Sequence, residues 1–194
     1  MSGTTTARQW VLVLGAVVLL GGGWLVLSAR SASSVPVLSA GSPAPDFRAA
    51  TLELSPRIRT LADYRGQVVL LNLWATWCGP CEWEMPGIER LHQDFAAAGL
   101  TVVAIAVDDP GFEARVRQFV ARHRLTFEIL SEGTGTIERI YQARGLPATY
   151  LIGRDGIIRK RIAGASDWNS AANRALVAQL LGVPVPAGDS APAP

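Results

Sequence analysis

Gln67-Val68-Val69-Leu70-Leu71-Asn72-Leu73-Trp74-Ala75-Thr76-Trp77-Cys78-Gly79-Pro80-Cys81 decides how this chain is read. Its first nine residues are almost continuously apolar, with β-branched and aromatic members, which is the pattern of a strand buried on both faces. After Cys81 the period changes, and Met85, Ile88, Leu91, His92 and Phe95 recur at helical spacing. The two cysteines, the only ones in the chain, therefore lie where a strand end feeds a helix N-terminus. Unpaired N–H groups and the positive end of the helix dipole favour a thiolate there, lowering a thiol pKa from about 8.5 toward roughly 3.5–7.5.

A Cys-x-x-Cys spacing also suits half of a zinc site, but such a site needs four ligands. There is no third cysteine, and His92 and His123 stand apart from each other and from the pair. So short a loop also gives a structural disulfide little chain entropy to remove. The pair reads as a reactive dithiol, with no metal and no cofactor expected.

Trp77-Cys78-Gly79-Pro80-Cys81 is the thioredoxin signature, and the longer string from Trp74 to Pro86 resembles the membrane-anchored TlpA/ResA-like (CcmG-related) thioredoxins. Gly41-Ser42-Pro43-Ala44-Pro45-Asp46-Phe47 resembles that family's lead-in to its first strand, Gly145-Leu146-Pro147-Ala148-Thr149-Tyr150 its cis-proline strand, and Gly164 with Trp168 its turn into the last helix. The resemblance covers residues 41–182. It implies a thioredoxin fold, a central mixed sheet flanked by helices, with an insertion between the Cys-x-x-Cys helix and the cis-Pro strand.

Cys78, at the helix mouth, is expected to be the exposed nucleophile, and Cys81, almost one turn on, the buried resolving thiol. Gly79 leaves room above the sulfurs, and Pro80 sets a helix-compatible φ without losing a needed donor. Trp77 is expected as an apolar wall beside Cys78; the plainer reading is an aromatic that packs the loop. Glu84 lies about 60° around the helix from Cys81. The resemblance implies that it tunes thiol acidity and substrate choice, against the bland alternative of a solvated carboxylate in an early turn. Cytoplasmic thioredoxins resemble a pattern with a buried aspartate six residues before the first cysteine. Here that position is Asn72, which cannot take a proton, leaving Glu84 as the nearby carboxyl relay. Pro147 is expected to be cis, turning the Leu146 backbone toward an extended substrate. His92 and His123 read as helix-surface residues, and Asp108-Asp109 as a cap.

Elsewhere the pattern predicts strands over 100–107, 126–130, 148–152 and 157–162, the last two joined by the turn Arg154-Asp155-Gly156. A helix is expected to open at Asp109-Pro110 with Phe112, Val116, Phe119 and Val120 on its apolar face. A short helix is expected over 134–143. Asp167 is expected to cap a last helix through Leu181 carrying Leu176, Val177 and Leu180. The strand and helix between Val107 and Thr134 are the expected insertion.

The uncharged run from Trp10 to Leu27 would span about 27 Å as a helix, against a hydrocarbon core of roughly 30 Å. That length favours an uncleaved anchor over a signal peptide, whose apolar region covers about 7–15 residues. The expected organisation is a cytoplasmic flank over 1–9, a transmembrane signal-anchor over 10–27, a flexible linker over 28–45, a thioredoxin-like domain over 46–182 and a Pro/Ala-rich tail over 183–194. Flanking charges, Arg8 against Arg30, barely decide orientation; the resemblance places the domain on the periplasmic face of a bacterial cytoplasmic membrane. With 18 basic and 16 acidic residues and a net charge of +2, nothing calls for nucleic acid. The expected function is reduction of client protein disulfides, for example in cytochrome c or oxidase copper-site maturation, with electrons from a membrane thiol-disulfide donor of CcdA/DsbD type. The alternative is a Cu(I)-binding module holding metal between two thiolates, with Met85 as a further sulfur donor.

Overall fold

A computed structural model describes residues 38–186 together with Trp10 and Leu14. The anchor expected over 10–27 therefore lies outside the described residues, save Trp10 and Leu14, both helical. Among the described residues no helix is long and apolar enough to cross a membrane.

Among the described residues seven strands form one mixed sheet in the order β2-β1-β5-β4-β3-β6-β7. They are β1 (Arg48–Thr51), β2 (Ile58–Thr60), β3 (Val68–Trp74), β4 (Leu100–Ala106), β5 (Glu128–Ser131), β6 (Ala148–Ile152) and β7 (Ile158–Ala163). Between residues 38 and 186 the α-helices are α1 (Gly79–Phe95), α2 (Glu113–His123), α3 (Thr136–Ile140) and α4 (Ala171–Leu181). The strand expected from the apolar run is β3, and all seven of its residues are buried. It pairs in parallel with β4 and antiparallel with β6, so its backbone is satisfied on both edges. The expected insertion comprises α2 and β5, and β5 carries β1 and β2 beyond it.

Side-chain alternation along β3 sorts the helices into two layers. Asn72 faces Glu84 of α1, and Trp74, two residues on, packs on Phe119 of α2 with ring centroids 4.7 Å apart. Arg174 of α4 pairs with Asp94 of α1 at 2.7 Å, adding α4 to the same layer. Tyr150 points the other way, against Tyr141 at the end of α3. Each large side chain buried in these layers contributes about 1.5–3 kcal/mol.

Three expectations change. The helix expected at Asp109-Pro110 begins at Glu113, with Phe112 as its N-cap and no side-chain cap. Residues 109–112 form a turn closed by Phe112 N–H on the Asp109 carbonyl (3.2 Å), with Gly111 at φ +95°, a backbone no helix start accommodates. Phe112, expected on the apolar face, is exposed. The last helix is capped by Ser170, whose Oγ accepts from Asn173 N; Asp167 instead accepts from Asn169 N and caps the turn before it. The stretch over 38–45, expected as part of a flexible linker, packs on the domain: Leu38 is buried, and residues 41–44 hydrogen-bond to Gly156 and Ile158.

Candidate active site

Register brings four chain segments to one edge of the sheet. Trp74 at the end of β3 lies beside Ala106 of β4, Ala106 beside Ser131 of β5, and Leu73 opposite Ala148 at the start of β6. The residues that continue these strands, 75–81, 107–110, 132–134 and 146–147, therefore meet at the carboxyl ends of the parallel strands, where open α/β sheets place their chemistry.

Cys78 and Cys81 are joined as a disulfide with an S–S distance of 2.02 Å. Cys78 is the N-cap of α1, and its Sγ accepts the Cys81 backbone N–H at 3.2 Å. The same N–H, together with the helix dipole, would stabilise a Cys78 thiolate once the bond is reduced. Cys81 is fully buried, whereas Cys78 keeps 6 % of its surface. The expected order of accessibility holds, but Cys78 is a narrow opening and not a broadly exposed thiol.

The residues around the pair divide into a rim and a floor. Trp77 is 67 % exposed, so it does not pack the loop as the plainer reading required. Gly79 and Pro80, the first residues of α1, are exposed, and a Cβ at Gly79 would meet nothing within 4 Å. The room Gly79 leaves is therefore room for another molecule. The Leu146–Pro147 bond is cis, with Pro147 buried and Leu146 half-buried; the Pro147 carbonyl accepts from Gly164 N at 2.8 Å.

Glu84 forms the floor. It is only 2 % exposed, so the solvated reading does not hold. Its Oε1 accepts from Asn72 Nδ2 at 2.7 Å and its Oε2 from Ser166 N at 3.1 Å. Burial pushes the carboxyl up to about 7, outweighing the donors Ser166 and Asn72 and the nearby Trp168 indole, which favour its charged form. On α1, Glu84 stands three residues after Cys81, a spacing that puts side chains on one face.

Two further groups escaped the sequence reading. Asp108, expected within a cap, caps no helix; it is buried and accepts from Thr76 N at 3.0 Å and from the Thr76 hydroxyl. His123, expected as an ordinary surface residue, lies with Nε2 2.9 Å from Glu82 Oε1 and stacks on Phe119 at 4.3 Å. Its position one helix away from the residue after Cys81 left no local signal. His92 is half-buried, edge-on to Phe127.

No group of three or more His, Cys, Asp or Glu that could hold a metal ion occurs among the described residues. Met85, the sulfur donor of the copper reading, is fully buried. A groove of about 580 Å³ between β1, β5 and α2 includes Arg57, Arg117 and Arg124 in its lining but neither cysteine. The chemistry here belongs to a helix mouth, not a cavity.

Residues 40–161 match the AhpC/TSA family. The thiol-disulfide oxidoreductase ResA of Geobacillus thermodenitrificans is 39% identical over 127 residues, 66% of this chain and 71% of that protein. The thioredoxin-like protein YneN of Bacillus subtilis is 35% identical over 153 residues, 78% of this chain and 88% of that one. Among solved structures, a putative thiol:disulfide interchange protein DsbE from Chlorobium tepidum superimposes with a TM-score of 0.67 at 30% identity, covering 75% of this chain and 99% of that one.

Proposed function

The chain belongs to the AhpC/TSA family of thioredoxin-like proteins and is a thiol-disulfide oxidoreductase; from that premise we propose that it works as a reductase of client protein disulfides at a bacterial membrane surface. The observation that carries the reading is the inequality within the pair. Cys78 has the helix N-terminus, a backbone N–H and the remaining surface, while Cys81 has none of that surface and a buried carboxyl one turn away.

The Cys78 thiolate attacks one sulfur of a client disulfide, forming a mixed disulfide and expelling the other client sulfur as a thiolate that takes a proton. Cys81 gives up its own proton and attacks Cys78 Sγ, releasing the second client sulfur and closing the 78–81 disulfide. Two electrons pass to the client, which leaves as a dithiol. Glu84, with a proton affinity poised near neutrality, is the acceptor for the Cys81 proton and hands it on to the departing thiolate or to solvent. The client lies in extended form along Leu146–Pro147, beneath the exposed indole of Trp77. A membrane thiol-disulfide donor of CcdA/DsbD type would return the pair to the dithiol.

The apolar run over 10–27 supports an anchor, and the resemblance to TlpA/ResA-like proteins supports clients such as the haem-binding cysteines of apocytochrome c. The test is single-turnover reduction of a peptide carrying an oxidised Cys-x-x-Cys-His motif by the reduced protein. One peptide dithiol formed per protein disulfide is expected. Stoichiometric Cu(I) binding with no reduction of the peptide would favour the metal-binding module instead.

A further inference from the structure

The polar cluster behind the cysteine pair holds an acceptor with no task in the mechanism. Asn72 Nδ2 donates to Glu84 Oε1 at 2.7 Å and to Thr149 Oγ1 at 2.9 Å. Asn72 Oδ1 is buried and accepts no hydrogen bond. Leaving a buried acceptor unmatched costs about 1–3 kcal/mol, yet the residue stands at a fully buried position of the central strand.

That orientation of the amide best suits the ionised form of its neighbour. An ionised carboxylate accepts and never donates, so it calls for Nδ2. A protonated carboxyl keeps acceptor capacity, but a hydroxyl on Oε1 directed at Nδ2 sets hydrogen against hydrogen. A half-turn of the amide about Cβ–Cγ exchanges Nδ2 and Oδ1, groups of nearly equal size. Oδ1 then accepts from the Glu84 hydroxyl and from the Thr149 hydroxyl, which donates as readily as it accepts.

We propose that Asn72 is a positioning residue for the dithiol chemistry, its side-chain amide reversing as Glu84 gains or loses a proton so that both protonation states are hydrogen-bonded in one place. The inference rests on the reading of Glu84 as acceptor for the Cys81 proton. The groups facing Glu84 are Asn72 from β3 and Ser166 and Trp168 from the loop before α4, with Thr149 of β6 behind Asn72; on its own helix the three-residue spacing puts Cys81 on the same face. None of these is charged while the disulfide is closed. The charged group tied to this shell is Lys160, which donates to Asn173 Oδ1 at 2.9 Å, and Asn173 Nδ2 in turn donates to Ser166 Oγ at 3.0 Å.

The test uses the oxidised full chain, in which no thiol titrates. The Asn72 side-chain NH2 signals and the Glu84 carboxyl carbon are followed by NMR across the neutral range. The Asn72 amide nitrogen and its protons should shift with the Glu84 midpoint, and the shift should vanish in Glu84→Gln. Constant Asn72 signals while Glu84 titrates would overturn the proposal. In Asn72→Ala the charged form loses the stronger, charge-assisted bond, so the acid limb of the single-turnover pH profile should move upward, with Glu84 binding its proton at least about threefold more tightly. A loss of rate equal at every pH would reduce Asn72 to a packing role. Full turnover in Glu84→Gln would instead remove the reading of Glu84 itself, a failure told apart because the Asn72 shift persists in the unsubstituted chain.

Discussion

Asp108 and Thr76 grip each other at both ends of the threonine: the carboxylate accepts from Thr76 N at 3.0 Å and from its hydroxyl. The end of β4 thereby holds the loop that presents Cys78. Asp108 is itself pinned, because Gly133 packs against its carbonyl, where a Cβ would collide, and a Cβ there would also lie 2.9 Å from Pro110 N. Replacing Asp108 by Ala leaves Thr76 N–H without its acceptor, at about 1–3 kcal/mol. Hydrogen exchange at Thr76 should quicken in Asp108→Ala, and less in Asp108→Asn, which keeps an acceptor. Unchanged exchange would show that the loop holds its shape unaided.

The asymmetry of the pair predicts a trapped adduct. In Cys81→Ala the resolving thiol is gone, so a mixed disulfide between Cys78 and a client should accumulate and be identified by mass spectrometry. Cys78→Ala leaves only a fully buried thiol and should yield little adduct. Equal yields from the two variants would reverse the assignment of the nucleophile.

Glu84 should trade stability for chemistry in a pH-dependent way. Burial lifts its carboxyl from 4.5 to about 7, so the folded protein binds this proton more tightly than the unfolded chain. The stabilisation that follows is complete below pH 4.5 and is lost as pH rises through 7, on the order of 3 kcal/mol at about 1.36 kcal/mol per pH unit. Glu84→Gln carries no charge to desolvate. Its Tm relative to the unsubstituted oxidised protein should therefore climb between mildly acid and mildly alkaline pH. A difference that stays level across that range would mean the carboxyl is not perturbed. In the reduced protein the same substitution should shift the thiol titration, since it removes a negative charge that disfavours thiolate.

Much of this was legible because the signals were local. β3 announced itself by a continuous apolar run, the dithiol by its spacing, and the β6–β7 hairpin by Arg154-Asp155-Gly156. Pro147 was readable only through resemblance, since nothing in an isolated X-Pro bond marks it as cis. The bonds that escaped join residues distant in sequence. Asn72 meets Glu84 across the β3–α1 turn, and Asp108 meets Thr76 from the next strand. Asp109-Pro110 looked like a helix start because residue preference alone cannot register the positive φ of Gly111. β1 and β2, with four and three residues, are too short to show a period.

The membrane reading makes a separate prediction. If the run over 10–27 stays attached and spans the bilayer, the chain should resist extraction by high salt and carbonate, and external protease should degrade the domain in spheroplasts. Protection until lysis would put the domain in the cytoplasm and end the envelope role. A soluble mature form beginning near Arg30 would leave the redox chemistry intact without an anchor.

The docked segment before β1 also guards the sheet against other copies of the chain. Ile158 at the start of β7 gives its carbonyl to Gly41 N at 2.8 Å and its N–H to Ser42 O at 2.9 Å, and Ala44 N closes on Gly156 O. An outer strand with those groups free is a template for pairing with a foreign strand. Farther along, Arg159, Lys160 and Arg161 put like charges where a second β7 would have to align. A truncated chain starting at Asp46 keeps the cysteines, Glu84 and Pro147 but bares the uncharged end of this edge. Such a fragment should fold and then self-associate, as light scattering would show, whereas one starting at Leu38 should stay dispersed.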